Sequence, residues 1–202
     1  MVCQHPPTQS KPPANISPSL RPPTQANISE TIILGDRITL KDTPDMARLG
    51  EAIHALIATY LINTPKNPKN PKKLAEQVLT SYAVTAHISI DDALLCVTRF
   101  ENFIKKNLSA RAIKVEYPVT YRLPNGQVAS GWIDALVETE QGYIIIDHKS
   151  NPQAKSEWKT IAMKYSGQLA LYKEAVEAIT QKPVIGCWIH FAVTGGILKL
   201  TF

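Results

Sequence analysis

Between Met46 and Tyr60, apolar residues recur every three or four positions: Met46, Leu49, Ile53, Leu56, Ile57 and Tyr60 share one side of a 3.6-residue repeat. This predicts a helix over 43–62, with Thr43 able to cap it, Pro44 suited to the first turn and Asp45 favourable to the dipole. Two more helices are expected near 73–86 and 91–107, the second starting behind Ser89 with Asp91 and Asp92 in its first turn. Between the first two lies NTPKNPKNPKK, a turn-rich basic connector carrying Lys66, Lys69, Lys72 and Lys73.

From Ala112 to Lys149 the repeat changes to that of strands. AIKVEYPVTYRL, QVASGWIDALVET and GYIIIDHKS read as three successive strands, turned at Pro124-Asn125-Gly126 and Glu140-Gln141-Gly142. A long helix is expected from about Glu157 to Ile179, followed by two strands, PVIGCWIHFAV and GILKLTF, around Gly195-Gly196. The fold class is α/β: a central mixed sheet, made of an antiparallel three-strand run and further strands, flanked by helices. Residues 1–30 differ in character. They hold seven of the fifteen prolines and little to bury, so they are expected to form an extended, disordered tail or linker ahead of one domain over 31–202.

Composition narrows the picture modestly. With 202 residues, 44% hydrophobic and 19% charged, the chain suits one globular domain. The net charge of +5 is a mild push toward a polyanionic partner. Cys3, Cys96 and Cys187 are too scattered for a zinc or iron–sulfur site, and their odd number argues against a disulfide framework. No apolar run approaches a membrane span, and no secretory core is seen at the N-terminus. The expectation is a cytoplasmic protein.

The chemistry gathers in two segments, Gly131-Trp-Ile-Asp134 and Asp147-His-Lys149. One Asp-x-Lys triplet is weak by itself: seven Asp and sixteen Lys supply roughly half a triplet by chance. Glu157-x-Lys159, at an expected helix start, shows how easily a similar triplet arises. Strand alternation adds weight, since Asp147 and Lys149 share a face, in phase with Tyr143 and Ile145. Asp134 falls in phase with Trp132 and Leu136. If Glu140 and Gln141 form the loop, Thr139 faces Gly142 and Asp134 comes opposite Asp147; a bulge at Gly142 would offset this by a residue. Two carboxylates side by side repel unless a proton or cation intervenes, and all-oxygen ligation suits Mg²⁺ or Mn²⁺. A partly solvated cluster of ion pairs would use the same residues.

The ordered set Leu49-Gly50-x-x-x-His54, Gly131-x-Ile133-Asp134, Asp147-x-Lys149-Ser150 and Tyr165-x-x-Gln168-Leu169-x-x-Tyr172 resembles the signature of RecB-family nucleases. These are PD-(D/E)XK enzymes with a restriction-endonuclease-like core, and the likeness is greatest to the modules at the C-terminus of RecB and AddA helicases. The resemblance covers roughly residues 45–175. It implies that His54, Asp134 and Asp147 hold the metal together with the backbone carbonyl of His148, and that Lys149 is the catalytic lysine. Gln168 and Tyr172 match a helix pair facing the active site, and their i,i+4 spacing independently puts them on one helix face. Glu116 resembles an acidic position in the family, beside the ligands or among them.

The resemblance also implies DNA as substrate, a 5′-phosphate product, single-strand or end-directed cutting in recombination or repair, and a UvrD/RecB-like helicase partner. The chain lacks both the phosphate loop of an ATP-driven motor and the cysteine set of the family's iron–sulfur members. Gly50 is expected to let the first helix approach closely. Leu169 is assigned to the core, and Tyr165 to packing or to the site. Trp132 is expected to pack, with Trp158 open to packing or base stacking; the lysines of 66–73 suit either DNA phosphates or solvent. Two rival readings keep the fold: a non-cutting module that binds DNA or a helicase, and a stand-alone phage- or plasmid-type exonuclease.

Overall fold

The computed structural model describes residues 14–63, 70–150 and 152–202. Seven strands form one sheet: β1 (Asn15–Ile16), β2 (Asn27–Ile33), β3 (Ala112–Arg122), β4 (Val128–Glu138), β5 (Tyr143–Lys149), β6 (Val184–Phe191) and β7 (Gly196–Thr201). Their order is β1-β4-β5-β6-β7-β2, with β3 on β4; the β1–β4 and β5–β6 pairs are parallel and the rest antiparallel. Helices α1 (Met46–Asn63), α2 (Pro71–Ser81) and α3 (Ile90–Asn107) cover one face, packing on Ala135, Val137, Ile144 and Ile146. Helices α4 (Trp158–Lys164) and α5 (Ser166–Thr180) cover the other, against Leu136, Ile145, Ile189 and Leu198. The alternation in β5 therefore feeds both cores, and full burial of each such side chain contributes about 1.5–3 kcal/mol.

Local chemistry explains the helix starts. Ser89 accepts the Asp92 amide at 3.0 Å, as its position predicts. Asn70 caps α2 through the Lys73 amide at 3.0 Å, with Pro71 in the first turn. In α1 the cap is Asp45 rather than Thr43: its Oδ1 takes the amides of Ala47 and Arg48 at 3.0 and 3.3 Å. The connector lysines Lys66 and Lys69 lie outside the described residues, while Lys72 pairs with Asp91 at 2.8 Å.

Two expectations are corrected. The helix expected from Glu157 to Ile179 is broken at Tyr165, whose φ of −97° and ψ of 5° leave the helical range. Ser166 accounts for part of the break, since its Oγ turns to the Met163 carbonyl at 2.7 Å and competes with the backbone ladder. The second correction concerns the proline-rich start. Residues 1–13 lie outside the described residues, but from Ala14 the chain is a strap on the domain and not a free tail. β1 extends β4, Pro18 is buried, and Ser166 Oγ bonds both the amide and the carbonyl of Thr24. A Cβ on Gly167 would lie 2.0 Å from the Pro22 carbonyl, so a glycine is what admits the strap. Proline fits here because an extended crossing makes few ladder hydrogen bonds. Among the described residues no helix is long and apolar enough to cross a membrane.

Candidate active site

The β4–β5 hairpin sets the register of the site. The Thr139 amide bonds the Gly142 carbonyl at 2.9 Å, and pairing runs from Glu138 with Tyr143 to Ala135 with Ile146. The next step brings Asp134 to the level of Asp147, and there the ladder ends. Beyond this point β4 pairs with β1 on that edge, at Val128 and Ala129, so β4 and β5 part. Asp134 fills the fork: its Oδ2 accepts the His148 amide at 2.6 Å.

Alternation breaks at the same level. Ala135 and Val115 pack toward α1–α3, whereas Ile133 and Tyr117, two residues along each strand, pack toward α5. Glu116 lies between Val115 and Tyr117 with a φ of 48°, a left-handed conformation that costs a non-glycine residue about 1–2 kcal/mol. The unbroken strand phase predicted for Trp132, Asp134 and Leu136 is corrected accordingly. Asp134 and Glu116 occupy the line where β3 and β4 exchange faces.

Three donors converge on this line. One ligand atom each from His54, Glu116 and Asp134 can be chosen so that all lie within 4.8 Å of one another. His54 Nδ1 stands 3.7 Å from Asp134 Oδ2. Burial holds the Asp134 carboxyl well above the usual carboxylate range, and the nearby Asp147 charge adds to it. Burial also raises Glu116 and lowers His54, which keeps the imidazole neutral and able to ligate. An oxygen-rich set with one imidazole, short of positive charge, fits a divalent cation. Beside it opens a cleft of about 560 Å³ lined by Gly50, His54, Tyr82, Glu116, Lys149 and Ser150.

Asp147 is engaged from two sides. Its Oδ1 accepts Gln168 Nε2 at 2.9 Å, and its Oδ2 lies 2.6 Å from Lys149 Nζ. The ammonium also sits 4.1 Å from the centre of the Tyr165 ring, a cation–π contact that the break between α4 and α5 makes reachable. Burial opposes the charge on Lys149, but Asp147, Asp134 and Tyr165 outweigh it and raise its pKa, so the lysine stays protonated. Tyr172 Oη donates to the Trp132 carbonyl at 2.8 Å; burial and then the Asp147 charge push this phenol up to about 12. Gly131 makes that contact feasible, because a Cβ there would lie 2.7 Å from Tyr172 Oη.

Residues 33–194 match the family model of the PD-(D/E)XK nuclease superfamily. The chain belongs to that superfamily. Curated relatives include the larger chains of bacterial ATP-dependent helicase/nucleases. The one from Lacticaseibacillus paracasei is 27% identical over 180 residues, 80% of this chain and 14% of the relative. Its namesake from Oceanobacillus iheyensis is 27% identical over 170 residues, 72% of this chain and 13% of the relative. That of a Thermoanaerobacter species is 35% identical over 92 residues, 46% of this chain and 7% of the relative. The chain spans about a seventh of the length of the first of these.

In this PD-(D/E)XK chain the residues singled out from sequence lie in one neighbourhood, but not as one set. His54 and Asp134 cluster with Glu116, the residue ranked behind the ligands, whereas Asp147 is tied to Lys149 and Gln168. The His148 side chain is buried on the α1–α3 side, its Nδ1 3.0 Å from Nδ1 of His190. Sequence reading passed over His190; it sits level with His148 on β6 and stacks on Phe100 at 4.6 Å, and strand phase alone gave no sign of it.

Three smaller expectations change. A Cβ on Gly50 would meet Ser150 at an ordinary 3.8 Å, so crowding does not require that glycine. Trp158 packs in the core, stacked on Phe191 and donating to Thr194 at 3.0 Å. Trp132 does not pack: it is 59% exposed.

Proposed function

We propose that the chain hydrolyses DNA phosphodiester bonds with a divalent cation, Mg²⁺ or Mn²⁺. His54, Glu116 and Asp134 would hold it, joined by Asp147 and the His148 carbonyl. The observation that carries this reading is the convergence of His54, Glu116 and Asp134 donor atoms within 4.8 Å, beside a lysine that is held charged. When bound, such a cation supplies Lewis-acid polarisation of a phosphoryl oxygen and activates water.

The chain's own groups do the rest. Lys149, steered by Asp147 and Tyr165, meets the scissile phosphate or the attacking water and offsets the charge that builds as the bond breaks. Gln168 orients Asp147, and Tyr172 holds the β4 backbone two residues before Asp134. Water attacks in line and the 3′ oxygen leaves, giving a 5′-phosphate product. Single-strand or end-directed cutting in repair or recombination, with a helicase as partner, is the reading that the relatives' names favour.

The test is incubation of end-labelled linear and circular single-stranded DNA with Mg²⁺, Mn²⁺ or Ca²⁺. Mg²⁺- or Mn²⁺-dependent loss of the linear strand supports the assignment, and cutting of the circle reports an endonuclease mode. A folded protein that binds Mn²⁺ yet leaves both substrates intact would make it a module for binding only.

A further inference from the structure

Of the three tryptophans, Trp158 and Trp188 are 3% and 4% exposed, and Trp132 alone stands out at 59%. Its exposure follows from the inversion at Glu116 and Asp134. Past that line, even-numbered residues of β4 turn to the side of α1–α3, where pairing with β3 puts Trp132 beside Pro118 and Ser130 beside Thr120, all four exposed. The backbone beneath is fixed: the Trp132 carbonyl takes the Tyr172 hydroxyl, and Gly131 leaves no room for even a methyl between Tyr172 and Pro18. A flat apolar ring is thus held in water from an ordered strand.

The ring borders a groove of about 520 Å³ that also touches Pro18, Pro118, Thr120, Ser130 and Tyr172, and no carboxylate lines it. Two residues along β4 is Asp134, about 7 Å away at the rise of a strand. In the other direction the exposed face runs past Thr120 to Arg122. An aromatic platform, one nucleotide step from a phosphodiester site and leading to a cation, matches single-stranded nucleic acid. A base inside a duplex has both faces covered and could not use it.

We propose that the Trp132 indole stacks on a base next to the scissile phosphate of single-stranded DNA, so that the strand runs along the outer face of the β3–β4 hairpin toward Arg122. This rests on the nuclease reading. It explains why a large apolar side chain is displayed beside the site, and it assigns single-strand preference to a defined residue.

The experiment titrates the protein with oligothymidylate in Ca²⁺, following tryptophan emission and its quenching by acrylamide. The other two tryptophans are buried, so Trp132 dominates the accessible signal. Binding should quench the emission and shield it from acrylamide. Trp132→Ala should abolish this change and weaken binding at least five-fold, the lower end of a stacking loss of about 1–3 kcal/mol per base. Trp132→Phe should keep most of the affinity, and a blunt duplex should leave the emission unchanged. Unchanged emission at saturation, equal affinity of Trp132→Ala, or no binding of single strands would overturn the proposal. Cleavage of the same oligonucleotide in Mg²⁺ is scored separately. Quenching without cleavage would keep the platform and sink the nuclease reading, while cleavage without quenching would do the reverse.

Discussion

The His148 amide donates to Asp134 Oδ2 at 2.6 Å, across the point where β4 and β5 part. A backbone donor that would otherwise bond the neighbouring strand is satisfied by the side chain that opens the fork. One contact therefore ends the ladder, holds Asp134 and fixes the peptide whose carbonyl is proposed to face the cation.

Gly131 and Tyr172 should behave as a coupled pair. Gly131→Ala places a methyl 2.7 Å from Tyr172 Oη and 3.0 Å from the Pro18 ring, and should cost about 1–3 kcal/mol of stability. Tyr172→Phe, which removes the clashing hydroxyl, should restore part of this loss in the double variant. Chemical denaturation of the four proteins checks it, and strictly additive losses would contradict the coupling.

Lys149 is held between a carboxylate and an aromatic face, a seat for a compact ammonium and not for a planar guanidinium. Lys149→Ala should lower the single-turnover cleavage rate by about 10²–10³ while Mn²⁺ affinity changes little. Lys149→Arg should rescue it poorly. A fully active arginine variant would show that only the charge matters.

Burial lowers the pKa of His190 to about 3. A histidine depressed in the fold contributes stability that is complete above its unfolded value, about 6.5. That stability is lost as pH falls from there toward the folded value. His148 is lowered too, by burial first and then by the positive charge of a protonated His190. Metal-free protein should therefore lose melting temperature from pH 6.5 to 5, ahead of most carboxylate titration. His190→Phe should melt with a shallower slope over that range; parallel slopes would remove these rings from the acid response.

Much of this site was legible because it follows a period-2 rule. Asp147 and Lys149 share a face, and a two-residue loop after Thr139 sets Asp134 level with Asp147. The breaks in that rule were not legible. Glu116 adopts positive φ without being glycine, so nothing in its residue type warned that β3 and β4 exchange faces, that Glu116 would join the donor cluster or that Trp132 would reach water. The break at Tyr165 was hidden by a continuous helical repeat, though Ser166-Gly167 was a weak hint. The strap over residues 14–33 looked like a tail because proline content was weighed above the few apolar residues, such as Pro18, Ala26 and Ile28, that dock it.

The most direct measurement is Mg²⁺-dependent cleavage of labelled single-stranded DNA under single-turnover conditions, wild type beside Asp134→Asn, with Mn²⁺ binding followed by calorimetry. The asparagine keeps an oxygen for the His148 amide, so the fork should stay intact while the charge facing the cation is lost. The account predicts a folded variant that binds Mn²⁺ at least ten-fold more weakly and cuts at least a hundred-fold more slowly. Cleavage at the wild-type rate by Asp134→Asn would contradict it.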